Sequence, residues 1–230
     1  MSRITERYAQ GHIVFGTYAS FGSAREIEAL AAAGLDFVRI DGHKLGWSDD
    51  VVREMVRACH AQSLTPWART DADPAEIARY IRLGVEALTV PSVASAEAAR
   101  AIVAAAAARP DDFLIGCQVE SREGLAHLDD IVRVPGVDMI HSGRTDLAAD
   151  LGLEKDQFGS EVLAAEERIV AAAQREGRIV ALFYPLGPQG EEFVLQWVAR
   201  GVRVFALDND ARVLREEYQR TVTRLRRQDT

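Results

Sequence analysis

The sequence predicts an α/β protein folded as a single (β/α)8 TIM barrel over residues 1–230. Three observations carry that expectation. Eight short apolar runs alternate with eight helical patterns, so strand and helix recur at nearly constant spacing. Glycines close several of the helices, where a left-handed residue belongs. No Pro/Ser-rich linker divides the chain, and no G-x-G-x-x-G follows the first strand, which disfavours a doubly wound open sheet.

The elements follow in order. A strand at 12–16 leads to a helix at 24–33, opened by Ser23 and closed by Gly34. The strand at 37–40 is followed by a helix at 49–61 with Ser48 at its start. The third pair is 64–68 and 74–83, framed by Asp73 and Gly84. The fourth is 87–90 and 96–108, begun by Ser95; its alanine run is a good helix former. Next come 113–119 with 122–131 behind Ser121, and 138–141 with 161–175 ending before Gly177. The last pairs are 179–183 with 190–199, closed by Gly201, and 203–206 with 211–226. Arg220, Arg224, Arg226 and Arg227 suit a solvated helix C-terminus, with a subunit contact as the weaker alternative.

Composition excludes several classes. With 27 basic against 35 acidic residues the net charge is −8, so nothing favours nucleic acid or an anionic membrane as partner. The opening residues carry no apolar signal core and no run is long enough to span a bilayer, so a cytoplasmic protein is expected. Cys59 and Cys117 are far apart and read as reduced core thiols.

In such a barrel, chemistry gathers where strands run into the following loops. Acidic residues close two successive strands: Glu120 in Gln118-Val119-Glu120-Ser121 and Asp146 in Gly143-Arg144-Thr145-Asp146-Leu147. Packing does not explain them. Hard oxygen donors without a neighbouring Cys or His suit Mg²⁺ or Mn²⁺, with Co²⁺ also possible, in a site left open for water and substrate. The competing reading is that each carboxylate merely caps a helix. Gln118 shares a face with Glu120 by strand alternation. Arg69 ends an apolar strand and needs an anion, either a substrate carboxylate or an internal partner such as Asp71, Asp73 or Glu120. Asp41, His43 and Lys44 form a polar cluster after the second strand. A His43–Asp41 pair would move protons near neutral pH if the strand persisted, while Lys44 could stabilise an oxyanion. Ser92, Arg144 and Thr145 complete the expected rim as substrate-binding residues, with Thr17-Tyr18, Tyr184 and Asp208 at other strand ends. His12, His60 and His127 read as structural, and His141 could point inward.

These segments resemble the class II (metal-dependent) pyruvate aldolases of the 4-hydroxy-2-oxoheptanedioate aldolase/citrate lyase superfamily. The likeness runs through 33–41, 64–69, Val90-Pro91-Ser92-Val93, Gln118-Val119-Glu120-Ser121, 136–147 and 204–208. It implies an oligomeric barrel, a homo-oligomer here. It further implies a divalent metal on Glu120 and Asp146, Arg69 on the carboxylate and keto oxygen of a pyruvate-like unit, and small 2-oxo acid and aldehyde substrates. The chain departs from the pattern in places. Where the family has D-x-E-H it reads Asp41-Gly42-His43-Lys44, so His43 or Lys44 would replace the usual proton-transfer histidine. Gly-Pro-x-Asp becomes Gly143-Arg144-Thr145-Asp146, and a longer segment before the fifth strand shrinks to Arg109-Pro110-Asp111-Asp112. The leading expectation is an aldolase that cleaves or forms a C–C bond beside a pyruvate-type enolate. The alternatives are a related condensing enzyme using oxaloacetate or a CoA thioester, and a repurposed, non-catalytic metabolite-binding barrel.

Overall fold

A computed structural model describes residues 2–227; Met1 and residues 228–230, the ends of the expected domain, lie outside the described residues. Eight parallel strands close into a barrel in sequence order, each paired with the next and the eighth with the first. They are β1 (Val14–Ala19), β2 (Phe37–Asp41), β3 (Thr65–Arg69), β4 (Ala87–Val90), β5 (Leu114–Val119), β6 (Met139–Ser142), β7 (Ile179–Tyr184) and β8 (Val204–Asn209).

The helices are α1 (Arg3–Ala9), α2 (Ala24–Ala32), α3 (Gly42–Leu45), α4 (Asp49–Ala61), α5 (Pro74–Arg82), α6 (Ala96–Ala105), α7 (Arg122–Ala126), α8 (Leu128–Val132), α9 (Arg144–Asp150), α10 (Ser160–Arg175), α11 (Pro188–Ala199) and α12 (Asp210–Arg226). Ser23, Ser48, Asp73, Ser95 and Ser121 each accept an N–H of the first helical turn, as expected of N-caps. None of the helices described is long and apolar enough to cross a membrane.

Three helices were not foreseen. α1 plugs the base of the barrel, with Ile4 fully buried against Val14, Phe37 and Trp67. α3 begins directly after Asp41, whose side chain caps it. α9 absorbs the expected Gly143–Asp146 turn, so Asp146 lies in a helical first turn. Two expected helices change shape. The one at 96–108 stops at Ala105, ahead of Pro110, and the one at 122–131 divides at His127 into α7 and α8. Strands β1 and β8 run about three residues beyond the apolar signal, and the extensions bring the polar Tyr18 and Asn209 to the cavity.

One large apolar layer packs the outside of the barrel against the helices; a smaller one fills its base. Alternation sends Phe37, Arg39 and Asp41 of β2 inward together. The register sets Tyr18 beside Arg39 and Arg39 beside Trp67, with Asp41 opposite Arg69 one step higher. Gly116 makes room for this bulky row, since a Cβ there would press on His141 and Thr89.

Candidate active site

The C-terminal ends of the strands enclose a cavity of about 290 Å³. Asp41, Lys44, Arg69, Gln118 and Asp146 line its upper part, and Tyr18, Arg39, His141 and Phe183 its lower part. Glu120 lies buried beside it, immediately after β5. Its Oε1 accepts hydrogen bonds from the Ser92 backbone N–H and hydroxyl, both at 2.8 Å, and its Oε2 accepts one from Gln118 Nε2 at 2.5 Å. Ser92 adopts a left-handed φ of 55°, rare for a residue other than glycine, and in that conformation both its donors reach the same oxygen. Gly143 passes so close that a Cβ there would overlap Oε2. Burial pushes the Glu120 carboxyl above its ordinary range, and the charge of Asp146 adds to that push.

A buried carboxylate with a second carboxylate close enough to raise its proton affinity, and oxygen donors alone, fits a hard divalent cation. Among the described residues no cluster of three or more His, Cys, Asp or Glu could hold a metal, so further coordination would come from water and substrate. Arg69 is buried and gives Nε and Nη2 to Asp41 at 3.1 and 2.5 Å. Its internal partner is therefore Asp41 rather than Asp71, Asp73 or Glu120. The hydrogen bonds with Asp41 raise its pKa against the opposing effect of burial.

The structure separates the expected proton-transfer residues. β2 ends at Asp41 and the chain turns into α3, so strand alternation does not continue. The His43–Asp41 pair is not formed: His43 Nδ1 is bonded to Asp71 on the exposed side, and His43 does not line the cavity. Lys44 does line it. Two of the residues expected to contact substrate have internal partners, although Arg144 still borders the cavity. Ser92 spends its donors on Glu120. Arg144 is buried with its guanidinium bonded to Glu166 and the Tyr184 hydroxyl, stacked among Phe158, Tyr184 and Phe193. That network also removes Tyr184 from the rim, and Asp208 is held by Arg212 and the Leu186 N–H. Thr145 remains on the cavity wall, exposed.

Sequence reasoning overlooked Arg39, although a charge in the apolar run Phe37-Val38-Arg39-Ile40, two residues before Asp41, marks it as inward. His141 does point inward. Its Nε2 meets Thr89 Oγ1 at 3.1 Å, and that hydroxyl accepts the Trp67 indole N–H at 2.8 Å. Burial, reinforced by Arg39 and Arg69, holds the imidazole well below the usual histidine range and so neutral. Cys59 and Cys117 are buried free thiols, each pushed up to about 12 by burial.

A closed (β/α)8 barrel with paired carboxylates and a buried guanidinium at its C-terminal rim defines a class of enzyme that handles small anionic metabolites. The family model HpcH/HpaI aldolase/citrate lyase matches residues 23–207, and the chain belongs to that family. A hydroxypyruvate/pyruvate aldolase of Paraburkholderia phytofirmans is 32% identical over 74% of this chain and 78% of its own length. One of Chromohalobacter salexigens is 27% identical over 93% and 94%. A solved HpcH/HpaI aldolase/citrate lyase family protein from Burkholderia cenocepacia superposes with a TM-score of 0.86 at 25% identity, covering 98% of this chain and all (100%) of the other.

Proposed function

We propose that this protein is a metal-dependent carbon–carbon lyase that cleaves or forms the bond beside a pyruvate-type enolate, taking a small 2-oxo acid and an aldehyde. The observation that carries the proposal is the convergence of Glu120, Asp146, Arg69 and Lys44 around one cavity. Glu120 and Asp146 would hold Mg²⁺, Mn²⁺ or a similar ion. When bound, such an ion acts as a Lewis acid toward the 2-oxo acid and favours its enolate. Arg69, already fixed by Asp41, would bind the carboxylate and orient the acid without an ordering cost at the moment of reaction. Lys44 would stabilise the alkoxide that develops at the aldehyde oxygen and deliver a proton there. His43, tied to Asp71 outside the cavity, is left a role in fixing α3 against the loop after β3.

The test is metal-dependent enolisation. Incubation with pyruvate and Mg²⁺ or Mn²⁺ in D₂O should exchange the methyl protons, read by loss of the methyl signal. Glu120→Ala should abolish that exchange while the protein remains folded; a fully active variant would remove the metal assignment. No exchange by the folded wild-type protein with any divalent ion would count against catalysis.

A further inference from the structure

Arg39 presents a feature that the proposed chemistry leaves unused. Its side chain is 3% exposed, lines the cavity, and has no acidic partner; Nε and Nη2 are buried without an acceptor among the described residues. Asp41, the nearest inward carboxylate on the same strand, is engaged by Arg69 and by the Lys44 N–H. Glu120 is engaged by Ser92 and Gln118. The guanidinium instead sits 4.8 Å from the Tyr18 ring centroid and 4.8 Å from that of Trp67. Ring faces offset part of a positive charge but give an N–H group no oxygen. Burial therefore lowers the proton affinity of Arg39, and Arg69 adds to this. The adjoining His141 stays neutral, and the floor's fixed cation is offset only through space by Asp41 and Glu120, with no direct ion pair among the described residues.

A guanidinium that borders a substrate cavity with N–H groups the protein leaves unmet suits a planar oxyanion entering that cavity. Arg69 lies over the same Tyr18 ring, 5.2 Å from its centroid. Both guanidiniums therefore lie close to one ring and line the same cavity.

We propose that Arg39 forms a second carboxylate subsite, so that the cavity selects a 2-oxo diacid over a 2-oxo monoacid. This rests on the reading of Arg69 as the first carboxylate site.

Equilibrium binding tests it separately from catalysis. The full chain, in buffer containing Mg²⁺, is titrated calorimetrically with malonate, acetate and inorganic phosphate. Malonate should bind at least about ten-fold more tightly than either of the others. Arg39→Met should reduce the malonate-to-acetate ratio about ten-fold or more, and Arg39→Lys should recover part of it. The ratio of kcat/KM for oxaloacetate over pyruvate should fall in parallel. Arg39→Met should also melt at a higher temperature than wild type, because a buried unpaired charge is replaced by an apolar chain of similar length. A purely structural arginine would give the opposite. An unaltered malonate preference in Arg39→Met, phosphate binding as tight as malonate, or a methionine variant that melts lower or does not fold would each overturn the subsite. Absent enolisation would reject the aldolase chemistry while leaving the malonate titration to decide on Arg39.

Discussion

Ser92 holds one oxygen of Glu120 with both a backbone N–H and a hydroxyl, from a backbone conformation that few residues accept. The arrangement orients the carboxylate and offsets part of the rise in its pKa that burial causes. Ser92→Ala keeps the N–H and removes the hydroxyl, so the carboxylate loses one of three bonds. Loss of such an outer partner typically weakens a metal site by about ten- to a hundred-fold, and a Mn²⁺ titration should read a decrease in that range. The same residue shows why a strand-end serine is hard to interpret from sequence. Its exposure to ligand depends on whether a neighbouring strand supplies a better acceptor, and here β5 does.

At the scale of elements, α2 and α12 meet through a pair of carboxyl groups. Glu26 closes the capping box of α2 with Ser23 and accepts the N–H groups of Ser20 and Phe21. Asp210, in the first turn of α12, shares a hydrogen bond with it. Burial, followed by that bond, pushes Asp210 up to about 7. A carboxyl whose folded pKa exceeds its unfolded one keeps a proton that the unfolded chain has released. Its contribution to stability is complete below roughly pH 4 and is lost as pH rises through about 7. Asp210→Asn should flatten this dependence and be the more stable form above pH 7, by about 1 kcal/mol once solvent screening at the partly exposed Asp210 is allowed for. Urea unfolding at several pH values between 5 and 8 would check it; parallel profiles would show that the pair does not titrate. The end of β2 is the other element that matters. Because α3 starts at once, His43 and Lys44 diverge, and only Lys44 reaches the cavity.

Across the whole molecule, base and mouth of the barrel have separate tasks. α1 closes the base with Ile4, and the polar residues gather at the other end. Ile4→Ala leaves a void among Val14, Phe37 and Trp67, a change that commonly costs about 2–5 kcal/mol. For a chain of this size the melting temperature should fall by roughly 4–20 °C. Below the transition, pyruvate exchange should be unaltered. A large loss of exchange in the folded variant would mean that base and mouth are not independent. The closed strand order also explains how residues far apart in sequence share one cavity: seven of the eight strands, all but β4, contribute one or two lining residues near their C-terminal ends.

The sequence by itself determined the barrel, its eight strand–helix pairs, the serine and aspartate caps, and the convergence of Gln118, Glu120, Asp146 and Arg69. Those features follow from local periodicity and from charges that packing cannot explain, so they are legible one segment at a time. Tertiary structure decided the pairings. It gave Asp41 to Arg69 through strand register, Ser92 to Glu120, and Arg144 to Glu166. It also made α9 of an expected turn, and it left Arg39 buried between Tyr18 and Trp67 with no acid to meet it. A carboxylate or guanidinium announces in sequence that it needs a partner. Which partner it finds depends on the closure of the barrel, because the groups that meet across the cavity come from strands that are distant along the chain.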